Sequence, residues 1–416
     1  MEAEYEHEPV PPSARKSLAT VSLVWLGFPM VLTMSVIGAL VVEGLGFRRG
    51  VAAIVAGNLV LFVYVGALSL LAQQHGLSFA LLSSRTLGTK GYVVASGLLS
   101  TIVLGWFAVQ TGLTAASLNG AFHWPVAPLA FLAGAAYVAL TVYGVRALAT
   151  IGLVSAPLFL AFGAYAVYVI VSDRGWVAIA SYPGSPERTL PFSLGVSLVV
   201  ASFVGSGTMT ADFTRWARTP LHALVATFSA FPLANGAAML VGAVIAGAGA
   251  GGSDPFALVA HRGGVVAALA VAFLFANLGS VCSHCLYNCA VGWSHILGVG
   301  MRRAALVGGA LGTLVAALGV WSYFVDWLSL VSIVIPPVGG VLLADHFFVR
   351  ARRARDLDGA RDFEAAPFLS WAAATVAAVL ASSQLPWVPA AVVGMLAALV
   401  IHPILARLAA PGSERM

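Results

Sequence analysis

Polar side chains recur along one face of the apolar segment 264–290. They are Asn277, Ser280, His284 and Asn288, at intervals of three, four and four residues. On an α-helix this spacing places them on the same side. Amide, hydroxyl and imidazole groups can hydrogen-bond a polar ligand, and imidazole can also take up a proton near neutral pH. The stripe therefore indicates either a binding site or hydrogen bonds that join neighbouring helices.

An aromatic ring and an amide form a second candidate pair in the apolar segment 91–117. Trp106 and Gln110 are four residues apart, so on a helix they project from the same face. An indole ring can stack on a flat ligand while the amide hydrogen-bonds the ligand's edge. The alternative is that Trp106 fills a helix crossing and that Gln110 bonds to a neighbouring helix. The pair favours a planar, hydrogen-bonding ligand.

Two apolar segments carry backbone breakers near their middle, Gly27-Phe28-Pro29 and Gly205-Ser206-Gly207. A helix that is interrupted at membrane depth frees N–H and C=O groups, which hydrocarbon cannot satisfy, so such breaks line cavities. We expect the freed N–H groups around Gly205 to Gly207, including that of Ser206, to meet carbonyl oxygens of a ligand. Phe203, just before the second break, is the candidate for an aromatic wall opposite Trp106.

The composition indicates that the segments carrying these side chains cross a membrane. The 416 residues are 60% hydrophobic and 9% charged, with a mean hydropathy of +0.95, whereas soluble domains carry about 25% charged residues. Segments of about 20 apolar residues can cross a bilayer as helices. We predict an all-α integral membrane protein with twelve transmembrane helices, called spans one to twelve. The spans are 19–42, 50–72, 91–117, 128–147, 149–171, 191–211, 221–249, 264–290, 303–321, 325–348, 367–384 and 388–408.

A fixed offset indicates an internal repeat. Gly27 and Gly205 are 178 residues apart, and the same offset leads from Trp106 to His284. Repeats of five spans necessarily have opposite membrane orientations, so we predict inverted units at 19–172 and 191–348, with spans eleven and twelve (367–408) appended. The alternative is a chance coincidence, since most spans contain some polar or aromatic residue.

The distribution of Lys and Arg predicts the orientation. With the N-terminus in the cytoplasm, sixteen of the 21 Lys and Arg residues lie inside and five outside, as the positive-inside rule requires. We therefore expect a multi-pass protein of the cell inner (plasma) membrane with both termini cytoplasmic. The cytoplasmic segments are then 1–18, the linker 349–366 and the tail 409–416.

Other classes of protein are disfavoured. The pair Cys282 and Cys285 beside His284 invites a zinc site, but His284 projects at least 100° around the helix from both cysteines, and zinc ligands must converge. We predict no metal site, no catalytic residues and no enzyme activity. The net charge of +5 reflects topology rather than nucleic-acid binding. The sequence also has no phosphate-binding loop for ATP.

Charged and kinking residues near the cytoplasmic ends of spans six and ten are candidates for gates. Asp212 and Arg215 follow span six, Pro336 begins a kink in span ten, and Asp345 lies at its end. We interpret the charged residues as gating or anchoring groups rather than as ligands of a substrate. The kink is either a flexible gate or a packing feature.

Several stretches together resemble the nucleobase–cation symport family, of the cytosine permease and hydantoin permease type. They are PVPPSARK at 9–16, AGNL at 56–59, GWF at 105–107, SF at 202–203, GTMTADFTR at 207–215 and IPPVGGV at 335–341. The resemblance implies a LeuT-like fold with alternating access. It also implies a planar heterocycle held between Trp106 and Phe203.

The resemblance leaves the identity of the ring open. Gln110 matches an amide of the hydantoin-permease branch. Cytosine permeases instead carry a glutamine three residues before the tryptophan, where this chain has Val103. They also have an Asn-Asp-Asn cluster in span eight, which Cys282-Ser283-His284 replaces here. Cytosine or another pyrimidine, hydantoin or allantoin, hydroxymethylpyrimidine and purines are all candidates.

The resemblance also implies a coupling ion, Na⁺ or H⁺, and no other cofactor. Sodium-dependent members place backbone carbonyls of the span-one break beside two adjacent hydroxyls of span eight, which here match Ser280 and Val281. The candidate ion ligands are Gly27, Met30, Asn277 and Ser280. Valine supplies no oxygen, so a proton cycle on His284 is the alternative.

Together these observations predict a secondary transporter that imports a heterocycle, embedded in the lipid bilayer as a monomer. A non-transporting receptor or channel is the distant alternative.

Overall fold

The computed structural model of the protein describes residues 8–142, 145–249, 255–350 and 361–409. The first seven residues of the predicted N-terminal segment, most of the predicted cytoplasmic linker and nearly all of the predicted tail lie outside these ranges. Apolar runs fold as helices because a helix satisfies its own backbone without water. The described residues accordingly form helices joined by turns and loops, with one isolated β-bridge between Lys16 and Ala217.

The α-helices of the described ranges are numbered in chain order. They are α1 (Leu18–Gly27), α2 (Leu32–Leu45), α3 (Phe47–His75), α4 (Phe79–Leu87), α5 (Tyr92–Phe122), α6 (Val126–Val142), α7 (Val145–Arg174), α8 (Trp176–Ala180), α9 (Phe192–Thr208), α10 (Ala211–Thr214), α11 (Pro220–Phe228), α12 (Gly236–Gly247), α13 (Pro255–Ala260), α14 (Gly264–Leu297), α15 (Met301–Ala317), α16 (Phe324–Val334), α17 (Pro336–Ala344), α18 (Ala365–Gln384) and α19 (Ala390–Leu408). Two π-helical segments, Ser229–Asn235 and Asp345–Arg350, join α11 to α12 and extend α17.

The predicted spans coincide with helical segments of the described chain. Eight segments there are long and apolar enough to cross a membrane, or nine if α1 and α2 count as one bent span. Two further apolar helices, α6 and α9, have 17 residues each. Span eight, predicted to end at residue 290, continues to Leu297. The count of twelve spans stays a prediction.

The interruption predicted in span one is confirmed. α1 ends at Gly27 and α2 begins at Leu32, with an angle of 61° between the two helices. Pro29 has no N–H to donate and cannot continue the helix, and the N–H of Val31 turns back to the Pro29 carbonyl at 2.8 Å. Residues 28–31 are all buried. The break therefore lies inside the protein, as a cavity-lining break must.

The position predicted for the second break is wrong. α9 runs through Gly205, Ser206 and Gly207 without interruption and ends at Thr208. The backbone N–H groups of Gly205, Ser206 and Gly207 therefore donate hydrogen bonds within the helix and are not free for a ligand. The chain turns only at 209–210, before the four-residue helix α10.

The glycines of span six serve close packing instead. A Cβ atom on Gly207 would lie 2.7 Å from Cγ2 of Val65 in α3, and one on Gly205 would lie 3.6 Å from Cγ2 of Ile102 in α5. A glycine inside a helix costs only about 1 kcal/mol relative to alanine, so packing can outweigh that cost. The glycines thus hold α9 against spans two and three.

Spans one and seven pack through small residues. A Cβ atom on Gly38 would clash with the backbone of Met239, and one on Gly242 would clash with the backbone of Ser35. The Ser35 hydroxyl donates a hydrogen bond to the Ala238 carbonyl at 2.8 Å. Close approach through small residues is a common way for helices to associate in membranes. It fixes the second half of span one, α2, beside α12.

Candidate functional site

The break in span one is held by one amide side chain. Asn277 of α14 is fully buried. Its Oδ1 accepts a hydrogen bond from the Leu32 N–H at 2.8 Å, and its Nδ2 donates to the Met30 carbonyl at 3.0 Å. Nδ2 also donates to Ser155 Oγ of α7 at 2.8 Å. Backbone groups freed by the break are thereby satisfied without water, and spans one, five and eight are joined at this point.

Two further predicted residues of the polar stripe are bonded to each other. His284 Nδ1 lies 2.7 Å from the Ser280 carbonyl oxygen. A carbonyl only accepts, so Nδ1 carries the proton and Nε2 is the acceptor of the neutral ring. Met30, Asn277, Ser280 and His284 therefore belong to one region. Gly27 ends α1 at the edge of the same break.

An aromatic ring from the break joins spans six and eight. Phe28 is buried, with its ring centroid 5.5 Å from that of Phe203 and 5.8 Å from that of His284, both in edge-on geometry. Phe203 also contacts Phe231, at 5.8 Å. The structure thus brings Phe203 and His284 together through Phe28. Sequence reasoning used Phe28 only as part of the breaker, although an aromatic residue at a break was a usable signal.

Trp106 lies against span ten. Its ring centroid is 4.8 Å from that of Trp327 and 5.9 Å from that of Phe324, both edge-on and both from α16. Phe203 is not among the ring contacts recorded for Trp106 within the described residues. The two helices nevertheless meet nearby, because Gly205 faces Ile102, one turn before Trp106. An aromatic pair around a ligand stays a prediction.

Gln110 links the second half of span one to span eight. Its side chain is almost fully buried. Oε1 accepts from Thr33 Oγ1 at 3.3 Å, and Nε2 donates to Cys285 Sγ at 3.9 Å. These bonds match the helix-joining alternative weighed for this residue. Both are long, and the sulfur is a weak acceptor, so a ligand with better acceptors and donors can replace them.

Of the candidate gating residues after span six, Asp212 contacts the helix α4. Asp212 Oδ1 accepts a hydrogen bond from the Phe79 N–H, at the first residue of α4, at 2.9 Å. A carboxylate at a helix N-terminus is favoured by the free N–H groups and the helix dipole. Arg215 is buried, and its guanidinium lies over the Trp216 ring at 5.4 Å.

Span ten is interrupted where a kink was expected. α16 ends at Val334 and α17 begins at Pro336, since consecutive prolines cannot donate hydrogen bonds to the preceding turn. The Val334 carbonyl accepts a hydrogen bond from Trp371 Nε1 of α18 at 3.2 Å. The appended span eleven thus satisfies a backbone group beside the interruption. Asp345, directly after α17, bonds to Thr86 Oγ1 of α4 at 2.9 Å.

Solved transporter structures have the same fold. Mhp1, a nucleobase-cation-symport-1 family transporter in a closed conformation with bromovinylhydantoin bound, matches with a TM-score of 0.80 at 18% identity, over 98% of this chain and 95% of that chain. Inward-facing Mhp1 gives a TM-score of 0.82 at 18% identity, over 96% and 92%. A Na⁺-coupled sialic acid symporter gives 0.63 at 15% identity, over 97% and 91%. The molecule has the LeuT-like transporter fold.

Sequence comparison gives the family. The family model described as permease for cytosine/purines, uracil, thiamine, allantoin matches residues 9–403. The cytosine permease of Escherichia coli O157:H7 is 31% identical over 410 residues, 97% of this chain and 95% of the relative. The hydantoin permease of Microbacterium maritypicum is 24% identical over 422 residues, 94% and 86%. The chain belongs to this permease family: it is a multi-pass membrane transporter of the nucleobase–cation symporter class and not an enzyme.

Proposed function

We propose that this protein imports a nucleobase or a related planar heterocycle, cytosine- or pyrimidine-like, together with a cation by alternating access. The observation that carries the proposal is the contact of Phe28, inside the span-one break, with Phe203 and His284. A broken helix, an aromatic wall and a titratable group meet there, which suits a flat ring with polar edges. The relatives named cytosine permease support the ring class.

In this proposal the ring stacks on Trp106, and Phe203 closes its opposite face. Support comes from the approach of α9 to α5 at Gly205, one turn from Trp106. Ser206 and Gly205 then contribute contacts from α9 as side-chain and backbone groups, not through an unwound backbone.

Gln110 and His284 read the edge of the ring. With Nδ1 bonded to the Ser280 carbonyl, His284 presents Nε2 as an acceptor for an exocyclic amino group or a ring N–H. Gln110 supplies one donor and one acceptor when its long bonds to Thr33 and Cys285 exchange for bonds to the ligand. A ring with adjacent donors and acceptors fits this set.

Entry to the site requires movement of α16. Trp327 and Phe324 cover Trp106, so a ring can reach the indole only when these side chains withdraw. The interruption at Pro336 is the hinge for this movement in our proposal. Asp212, Arg215 and Asp345 act at the other end, where they anchor α4 and the cytoplasmic ends of spans six and ten.

The coupling cation is H⁺ or Na⁺. For Na⁺ the candidate ligands are Gly27, Met30, Asn277 and Ser280. For H⁺ the candidate is His284. Two features favour H⁺: the Met30 carbonyl already accepts from Asn277 Nδ2, and Val281 supplies no oxygen where sodium-dependent relatives have a hydroxyl.

A hydantoin-type substrate is the second candidate. Gln110 stands one turn after Trp106, as in the hydantoin-permease branch, and a hydantoin permease is among the relatives. Allantoin, hydroxymethylpyrimidine and purines share the planar, hydrogen-bonding chemistry. We further propose that the protein works as a monomer in the inner membrane with both termini in the cytoplasm. The distribution of Lys and Arg supports this orientation of the termini.

A thermal-shift screen of the purified protein tests the proposal. The ligands are cytosine, uracil, hypoxanthine, hydantoin, allantoin and hydroxymethylpyrimidine, each with and without Na⁺. A bound ligand raises the melting temperature in proportion to the logarithm of its concentration above Kd. Stabilisation only with Na⁺ supports sodium coupling, whereas equal stabilisation without Na⁺ favours His284. If none of these rings raises the melting temperature, the stacking site is contradicted.

A further inference from the structure

One side chain of the appended spans bonds to the backbone of span ten beside its interruption. Trp371 of α18 donates from Nε1 to the Val334 carbonyl at 3.2 Å. Val334 is the last residue of α16, and α17 begins at Pro336. The Trp371 ring is partly buried and packs on a small apolar cluster formed by α17, α18 and α19. The bond therefore joins span eleven to the point where the two halves of span ten meet.

The prolines explain why this carbonyl takes a hydrogen bond from another span. In a continuous helix each carbonyl accepts from the N–H four residues later. Pro336 and Pro337 have no N–H, and the Val338 N–H donates to the Ile335 carbonyl at 3.0 Å. The Val334 carbonyl, for which Val338 would be the helical donor, accepts from the indole instead. Unpaired backbone groups are costly within a membrane, so this indole N–H matters at the interruption.

The two halves of span ten are held differently. Every residue of α17 is buried. A Cβ atom on Gly340 would lie 2.8 Å from the Met395 carbonyl oxygen of α19, so α17 lies directly against span twelve. α16 instead has side chains on the surface of the protein, among them Leu330, which is 57% exposed. α17 is thus held more firmly than α16, and Trp371 bonds to the less firmly held half at its end.

That half carries two rings which we call the aromatic cover, Phe324 and Trp327. Both contact the Trp106 ring. Val334 follows Trp327 by seven residues, which is about 10 Å along the helix axis. A small change in the direction of α16 at Val334 therefore displaces the aromatic cover by more than it moves the interruption itself.

We propose that Trp371 is a positioning residue for the aromatic cover. Its indole N–H holds the end of α16 in the direction that keeps Phe324 and Trp327 on Trp106, and the bond breaks when the cover opens. The appended spans, which lie outside the predicted inverted repeat, thereby take part in the transport cycle. The role rests on the function proposed above, in which the substrate ring stacks on Trp106. The effect of the bond on α16 does not depend on which ring is carried.

Thiol labelling of the purified full-length protein measures how readily α16 opens. Val331 is buried and lies two turns after Phe324 on the same face of α16. Val331→Cys therefore places a thiol where a maleimide can react only when α16 moves away from its neighbours. Leu342→Cys places a second buried thiol in α17. The wild-type protein gives the background rate from the native cysteines, all of which are buried.

Trp371→Phe keeps an aromatic ring and removes the N–H. One hydrogen bond shifts an equilibrium by about 2-fold to 12-fold, so the labelling rate of Val331→Cys should rise by that factor. The labelling rate of Leu342→Cys should not change. Two control variants should leave both rates unchanged. Trp387→Phe alters an exposed tryptophan between α18 and α19, and Phe368→Leu removes aromatic packing one turn before Trp371 on the same helix.

Three results would overturn the proposal. One is a labelling rate of Val331→Cys that Trp371→Phe does not change. Another is an equal rise at Leu342→Cys, which would show general loosening rather than movement of α16. The third is the same rise in Phe368→Leu, which would assign the effect to packing. If Trp371→Phe does not fold, the benzothienyl analogue of tryptophan in place of Trp371 decides, because it keeps the ring shape and replaces N–H by sulfur.

The labelling uses no substrate, so it separates this role from the proposed function. Faster labelling of Val331→Cys in Trp371→Phe supports the positioning of α16 even if no ring raises the melting temperature in the thermal-shift screen. That combination would contradict the stacking site alone. Unchanged labelling beside a ring that does bind would contradict the role of Trp371 alone.

Discussion

At the break in span one, backbone groups on both sides depend on the same amide. Replacement of Asn277 by alanine would leave the Leu32 N–H and the Met30 carbonyl buried without this partner. An unsatisfied buried group costs about 1–3 kcal/mol, so we expect the free energy of unfolding to fall by on the order of 3 kcal/mol. Thermal unfolding measures this loss. Asn288→Ala, three turns along the same helix, is the control and should shift the melting temperature much less.

Replacement of Trp106 is the most direct test of the stacking proposal. Base–aromatic stacking contributes roughly 1–3 kcal/mol per base, so Trp106→Ala should weaken binding by between roughly 5-fold and 150-fold. Trp106→Phe keeps an aromatic face and should retain most of the affinity. Calorimetric titration with the ring identified by the thermal-shift screen gives both values. Equal affinity in wild type and Trp106→Ala would remove Trp106 from the site.

The sequence predicted which residues belong to the candidate site, but it did not predict their hydrogen-bond partners on other helices. The spacing of Asn277, Ser280 and His284 placed them correctly on one helix, because helical periodicity is a local property. The bonds from Asn277 to Met30 and Leu32 join positions about 245 residues apart. Local periodicity carries no information about such pairs. The same holds for Gln110, whose partners come from two other spans.

At the scale of elements, the length of each apolar segment predicted where the helices run. Glycines alone did not distinguish a helix break from close helix packing. Gly27-Phe28-Pro29 broke span one because proline removes a backbone donor. Gly205-Ser206-Gly207 contains no proline, and a helix tolerates its glycines when a neighbouring helix needs the space. Glycine accompanied by proline is therefore a better sequence signal for a helix break than glycine without proline. The break in span ten, at consecutive prolines, follows the same rule.

The two glycines of α9 give an element-scale prediction. A Cβ on Gly207 would lie 2.7 Å from Val65 Cγ2, whereas one on Gly205 would make an ordinary contact of 3.6 Å with Ile102. Gly207→Ala should therefore destabilise the protein by about 1–3 kcal/mol through overpacking. Gly205→Ala should be neutral or slightly stabilising, because alanine favours helix.

Thermal unfolding of the two alanine variants checks this prediction, with a rescue as control. Val65→Ala removes the atom that the new methyl group would meet, so it should restore stability to Gly207→Ala. A large loss of stability in Gly205→Ala would instead indicate an unwound backbone at that position.

At the scale of the whole molecule, alternating access requires one group of spans to move relative to the others. Individual hydrogen bonds join the two groups. We propose that spans one, two, six and seven move together as one bundle against the other spans. Asn277 of span eight and Gln110 of span three each form a hydrogen bond with span one across the boundary between the two groups. Asp212 forms one between span six and α4. Each such bond contributes about 0.5–1.5 kcal/mol net. Contacts of that size hold one state closed and still permit exchange between states.

The coupling ion is a property of the whole cycle, and uptake into proteoliposomes tests it. If His284 carries the proton, an inward pH gradient should drive accumulation of the ring in the absence of Na⁺. His284→Gln should abolish accumulation, since an amide cannot change charge. It should still permit exchange of labelled for unlabelled ring, because the amide keeps hydrogen-bonding groups at the edge of the ligand. Accumulation that needs a Na⁺ gradient and does not change between pH 5 and pH 8 would transfer the coupling role to the group of Gly27, Met30, Asn277 and Ser280.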